Sequence, residues 1–190
     1  MGTQFSDVYN RFLGKITDDM YVELTPADTI RDLQNLLIDA IPGFEFPRKN
    51  LMDYTIKTEL VNQEDIQLGD FSLGPVWGDI SADEPPKMLI EKSSFNIDLT
   101  SEEINILAIL MMNGWLQRQV TSIENIRMKY SGPDFKMTSQ ANHLAKLLSL
   151  QKETHRQSIH MQRLYKRRKT TDTGEFTSNW SVLIENSALD

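Results

Sequence analysis

Residues 99–148 read LTSEEINILAILMMNGWLQRQVTSIENIRMKYSGPDFKMTSQANHLAKLL. Thr100, Ser101, Glu102 and Glu103 form a capping box, in which a threonine hydroxyl accepts from the amide three residues on and the glutamate reaches back to the threonine amide. Leu99 and Ile104 bracket the box as a hydrophobic staple. Ile104, Leu107, Ala108, Met111 and Trp115 share one face, while Ile106, Ile109, Leu110 and Met112 make this helix apolar almost all round, as a central helix must be. Val120, Ile123, Ile126 and Met128 predict a second, shorter helix, ended by the turn residues Tyr130-Ser131-Gly132-Pro133. A third helix opens near Ser139 with Ala141, Leu144, Ala145, Leu147 and Leu148 and extends to Lys169, a length of ~45 Å at ~1.5 Å per residue. Apolar positions nearly stop after Leu150, so residues 151–169 are predicted to project as a basic helix into solvent or onto a partner.

Upstream, Val8, Tyr9, Phe12, Leu13 and Ile16 predict a helix over residues 6–17 with Ser6 as its cap. Thr25-Pro26 starts another, with Ile30, Leu33, Leu37, Ala40 and Ile41 as its buried stripe and Pro42-Gly43 as its stop. Met52, Tyr54, Ile56, Thr58 and Leu60 alternate with polar residues, the period of a half-buried strand. A second alternation, Met88 and Ile90, changes phase at Ser93-Ser94 before Phe95, Ile97 and Leu99, which predicts a bulge or bend. Between them the Gly- and Pro-rich connection 62–86 carries Phe71, Leu73, Val76 and Trp77, and packs on its own domain or reaches a neighbouring chain.

The fold class expected from these elements is mainly α: a helical bundle with a small β-strand excursion and an extended C-terminal arm. Residues 1–150 form the helical domain, with the β excursion at about 51–99; residues 151–169 form the projecting basic helix and residues 170–190 a docking tail. Leu107, Trp115 and Leu144 are expected to hold the bundle, and a chain cut after residue 150 to keep its fold.

Composition narrows the function. A chain of 190 residues with 39% apolar content supports one core. Without cysteine there are no disulfides, thiolate nucleophiles or Cys-based metal sites, which fits synthesis in a reducing compartment. No run of about 18 apolar residues and no signal-like N-terminus is present. The net charge of −7 is uneven: between Lys152 and Lys169 seven Lys/Arg face the single acid Glu153, and the excess of acid lies in the body. An acidic body repels a nucleic-acid backbone, whereas a basic segment seeks an acidic partner.

Catalytic patterns are missing. His155 and His160 are five residues apart and do not share a helical face as a metal pair would; His143 sits near a helix start. No Gly-x-Ser-x-Gly, dinucleotide fingerprint or P-loop occurs, and the acids Glu102 and Glu103 already serve a helix start. Gly2 and Ser6 fit a permissive myristoylation pattern better explained by local structure. The expectation is a non-enzyme without metal or cofactor. The candidate docking residues are the basic run Arg163, Lys166, Arg167, Arg168 and Lys169, followed by Phe176 and the alternating Trp180, Val182 and Ile184, which suit a strand added to a neighbour's sheet edge. The basic run reads in three ways: nucleic-acid contact, a solvated helix C-terminus, or docking on an acidic protein surface.

Leu99 to Glu103, Leu107-Ala108, Trp115-Leu116, Asp134-Phe135-Lys136 and Ser139-Gln140-Ala141-Asn142-His143-Leu144 together resemble the head-tail connector (adaptor, or neck) proteins of tailed bacteriophages. Residues 5–12 and 36–46 are similar more loosely, so about half the chain is covered; the β excursion and residues 170–190 have no counterpart. The resemblance implies a structural virion protein, a homo-oligomeric ring of twelve subunits between portal and tail, contacts with portal and tail or neck proteins, and DNA passing through the lumen without sequence-specific binding or membrane contact. It also implies synthesis in the host cytoplasm before incorporation into the neck. The rival reading is a DNA-binding regulator with a helix-turn-helix-like unit between Trp115 and Leu148 and the basic helix on phosphates.

Overall fold

A computed structural model describes residues 2–16, 20–67, 70–76, 87–129, 138–170 and 176–177. In chain order the helices are α1 (Phe5–Leu13), the single turn α2 (Met20–Glu23), α3 (Pro26–Ala40), α4 (Ser101–Lys129) and α5 (Thr138–Arg167). The strands are β1 (Tyr54–Thr55), β2 (Thr58–Asn62), β3 (Phe71–Val76), β4 (Lys87–Glu91), β5 (Ser94–Phe95), β6 (Lys169–Thr170) and β7 (Phe176–Thr177). Helix α4 is the spine. α1, α3 and α5 pack on it, and strands β3 and β4 pack on α3, so that α5, α4, α3 and a sheet follow one another as layers.

The helix starts follow from the local sequence. Thr25 Oγ1 accepts from the Asp28 amide at 3.2 Å with Pro26 at the first helical position, and Ile30, Leu33, Leu37, Ala40 and Ile41 are all buried. At α4 the capping box closes: the Thr100 amide donates to Glu103 Oε2 at 2.7 Å and the Glu103 amide to Thr100 Oγ1 at 3.2 Å. The cap of α1 is Gln4 rather than Ser6, because the chain enters the helix from a strand-like segment and Gln4 still bridges Ser94. Residues 101–129 form one helix instead of two, since nothing between Trp115 and Val120 breaks the backbone pattern.

The strands overturn the bundle expectation: the fold is mixed α/β, with two small antiparallel sheets built from β1–β5 and a further two-residue ladder between β6 and β7. One sheet has the order β2-β4-β3, with Leu60 opposite Leu89 and Phe71 opposite Glu91. The other pairs β1 with β5, and the N-terminus runs beside it through Thr3 N to Ile97 O at 3.0 Å, Phe95 N to Thr3 O at 2.9 Å and Phe5 N to Ser93 O at 2.9 Å. β1, β3 and β5 reach into the core through Tyr54, Phe71 and Phe95, while β2 stays at the sheet's edge. Phe95 is fully buried, its ring 4.7 Å from that of Phe5, and Phe71 meets Tyr9 at 5.7 Å.

The phase change at Ser93 is the point where one strand leaves its sheet and enters another. Ile90 and Phe95 are both buried on either side of it, and the Ser93 hydroxyl accepts the Lys57 amide at 2.9 Å to fill the corner. Gly74 lies at φ +123° where the β3–β4 register shifts, a backbone position that suits glycine. In the connection 62–86, Phe71 packs into its own core, while Trp77 lies outside the described residues.

Candidate docking surface

The long helix α5 does not project. Its contacts with α4 pair Tyr165 with Glu103, Met161 with Asn105, Ser158 with Asn113 and Gln151 with Gln117, the falling and rising numbers of an antiparallel hairpin. Thr154, Ser158, Gln162 and Tyr165 form its buried stripe. These residues carry few apolar letters, yet their polar groups are satisfied within the protomer. Thr154 Oγ1 donates to the Leu150 carbonyl at 2.8 Å and Ser158 Oγ to the His155 carbonyl at 2.9 Å, bonds inside the helix itself. Gln162 Oε1 accepts the Glu45 amide at 2.7 Å while its Nε2 donates to the Gly43 carbonyl at 3.2 Å. A satisfied polar side chain can be buried at little cost, which is why a search for apolar periodicity misses this seam.

Tyr165 ends the seam inside the core. Its ring stacks edge-on with Phe44 at 5.4 Å and lies under the Arg48 guanidinium at 4.5 Å, and its hydroxyl donates to Glu103 Oε1 at 2.5 Å. Burial and the Glu103 carboxylate push this hydroxyl well above its ordinary range. A chain cut after residue 150 therefore loses part of its core, contrary to the sequence expectation. Leu107 and Leu144 are buried as expected and Trp115 is half-buried.

The candidate docking residues do not form one patch. Arg168 Nη1 donates to Glu102 Oε1 at 2.8 Å, and Lys166 sits 3.8 Å over the Phe46 ring; both are turned back onto their own protomer. Arg163 and Arg167 are exposed. Lys169 and Phe176 belong to the β6–β7 ladder, and Trp180, Val182 and Ile184 lie outside the described residues. Sequence reading passed over the partners that complete the exposed basic row. At ~100° per residue, Lys152, Arg156, His160, Arg163 and Arg167 fall within an arc of ~80°, directly opposite the buried stripe. All five are exposed, and Glu153, 2.7 Å from Arg156, is the acid beside them.

A second uncovered surface lies on residues 52–65. Met52, Ile56 and Leu60 were expected on the buried face of a strand; they are 60%, 52% and 58% exposed. The alternation in β2 runs the other way, with Glu59 and Val61 half-buried, and the layer that covers this sheet, α3, packs on β3 and β4. β2 is an edge strand with no second partner among the described residues. The same stretch of chain carries Asp53, Glu59, Glu64 and Asp65 against Lys57, with Glu59 on the face opposite Leu60. Lys57 Nζ lies 2.5 Å from Glu59 Oε1 and holds that carboxyl below its ordinary value.

Two other features merit a chemical reading. A groove of about 480 Å³ between α3 and α4 is lined by Leu24, Trp115 and Arg118, whose guanidinium is already bound to Asp32 at 2.6 Å. Inside the protein, Glu91 accepts from the Ser93 amide and from Gln34 Nε2, each at 2.9 Å, and burial pushes its carboxyl upward against those bonds. These contacts fasten the corner between the sheets to α3. Among the described residues no three His, Asp or Glu gather as a metal site, and no helix is long and apolar enough to cross a membrane. Family models, curated proteins and solved structures were all compared with this chain, and none matches it.

Proposed function

We propose that this chain is a structural subunit of a head-tail connector ring in a tailed bacteriophage, seated between portal and tail and passing DNA through its lumen. Support comes from the α4–α5 hairpin: residues 99–148, which carry the resemblance, supply its capped start, its central helix and the opening of its returning arm. Such a hairpin is a stiff spacer of ~43 Å along α4, suited to repetition around an axis. The portal, the tail or neck proteins and further copies of the chain are its partners, and the virion neck is its location. The role calls for assembly and passage, with no chemical step.

The helix geometry favours the connector over the regulator reading. A helix-turn-helix needs two helices crossing at a wide angle over a turn of 3–4 residues, whereas residues 115–129 continue α4 and α5 returns antiparallel beside it. Native mass measurement of the full chain, alone and with its cognate portal ring, decides between them. A portal complex carrying one copy per portal subunit is the expected result. A small species that ignores the portal and shifts duplex DNA, with affinity falling steeply as salt rises, overturns the connector reading.

A further inference from the structure

The two uncovered surfaces sit on opposite outer layers of the protomer. α5 makes its contacts with α4 and with the 41–48 turn, whereas the β2-β4-β3 sheet is carried by α3 on the other side of α4. One surface is a basic row about 22 Å long, from Lys152 to Arg167. The other lies along residues 56–65, where exposed Ile56 and Leu60 accompany the open edge of β2 and the exposed acids Glu64 and Asp65 follow it. Their charges are opposite in sign.

Resting on the ring reading, we infer that the basic row of α5 docks on the β2 edge of a second copy of this chain, a head-to-tail contact that repeats around the ring. Two observations commit the surface to a second copy, and the symmetry of such a contact suits a ring. The charge excess that would attract the row is present on the chain itself, whose body is acidic. The exposed aliphatic side chains at β2 need a dry cover, and Leu164, 36% exposed beside Arg163, can lie on them. Finally, two different patches on opposite layers meet without exhausting either protomer's surface, so the contact propagates, closing into a ring or running into a filament, where a self-complementary patch would stop at a dimer. The alkyl stems of Arg163 and Arg167 would then cover Ile56 and Leu60 while their heads reach the carboxylates.

Because the chain lacks cysteine, disulfide trapping tests this directly. Leu60→Cys and Arg163→Cys are made separately in the full chain, with Asp7→Cys as an exposed control. After mild oxidation, a covalent dimer is expected from the mixture of Leu60→Cys and Arg163→Cys, at least about tenfold above the control mixtures, and a ladder from the double variant. Dimer forming equally in either single variant alone means a self-complementary contact and overturns the proposal, as does a mixture no better than the control. A second measurement uses charge. Adding Arg156→Glu and Arg167→Glu to the Arg163→Cys protein should abolish the trapped dimer, and adding Glu64→Lys and Asp65→Lys to the Leu60→Cys partner should restore it. If reversing the row leaves trapping intact but removes binding to duplex DNA, the row faces nucleic acid and the subunit contact is wrong. Portal capture of the full chain is read in parallel, so a failed subunit contact is distinguished from a failed connector reading.

Discussion

The Tyr165 hydroxyl donates to the Glu103 carboxylate at 2.5 Å, joining the last turn of the longest helix to the first turn of the spine. Glu103 is 2% exposed and also accepts from the Thr100 amide and hydroxyl, so one buried carboxylate closes the cap of α4 and fixes the end of α5. Lys49 stands 3.9 Å away and is the nearest balancing charge. The register of the α4–α5 hairpin is thereby set at its base as well as along its seam.

Tyr165→Phe should cost about 1.5–3 kcal/mol in urea unfolding, the range for a hydrogen bond to a charged group. Glu103→Ala should cost more, because it removes the cap and leaves the Tyr165 hydroxyl buried without its acceptor. The double variant should cost less than the two added together, since both act on one bond. Strict additivity would show that the pair is not coupled.

How much of this fold could be read beforehand follows from the kind of signal each residue carries. Thr100, Glu103, Thr25 and Pro26 act within four residues of chain, and the helix starts they announce are in place. Thr154, Ser158 and Gln162 carry no such signal, because their burial depends on hydrogen bonds to the helix backbone and to residues 43–45, over a hundred positions away. Tyr54 faces the core as its alternation suggested, but the phase of β2 was inverted, for a related reason. Alternation gives a period of two without saying which phase is covered, and coverage is decided by the layer packed against the sheet, here α3 on β3 and β4. The basic row was half legible: Arg163 and Arg167 stood out as a cluster, but Lys152, Arg156 and His160 join them only once helix continuity is known.

Phe95→Ala tests whether the strands belong to the core. Its side chain is fully buried against Phe5 and Tyr54, so a loss of about 3–5 kcal/mol is expected, matching or exceeding Leu107→Ala at the centre of α4. A peripheral strand would lose under about 1 kcal/mol, and denaturant midpoints separate the two cases.

Gly2→Ala should damage the N-terminal strand specifically. A β-carbon there would come within 1.8 Å of the Phe95 carbonyl oxygen and 2.9 Å of its carbonyl carbon, both backbone atoms that cannot swing aside. The cost is about 1–3 kcal/mol if the segment shifts, and amide exchange should accelerate at Phe95 and Phe5, whose bonds hold that segment, while α4 amides near Met111 respond less.

Leu60→Ser separates folding from assembly. With 58% of its surface exposed, Leu60 contributes little to the isolated protomer, and unfolding should move by no more than about 0.5 kcal/mol. Loss of self-association with unchanged stability is the expected pair of results; a large drop in stability would mean that Leu60 is covered within its own protomer.

The pH dependence of Glu91 runs against that of Glu59 and Asp70. Burial raises its folded value above the ordinary 4.5, so the folded state holds its proton more tightly than the unfolded chain does. The stability this proton supplies is present below about 4.5 and is lost as pH rises through the elevated folded value. Asp70 has the opposite sign: its hydrogen bond from Lys92 lowers its value, so its contribution is present above the ordinary 3.8 and fades as pH falls through the depressed one. Above about pH 4.5 the Glu91 effect should therefore show as a stability that declines with rising pH until the elevated folded value is passed. Glu91→Gln should flatten that slope while keeping an oxygen for the Ser93 amide. Unfolding curves collected at half-unit steps in both proteins measure the difference, and an unchanged slope in the variant would assign the dependence to another group.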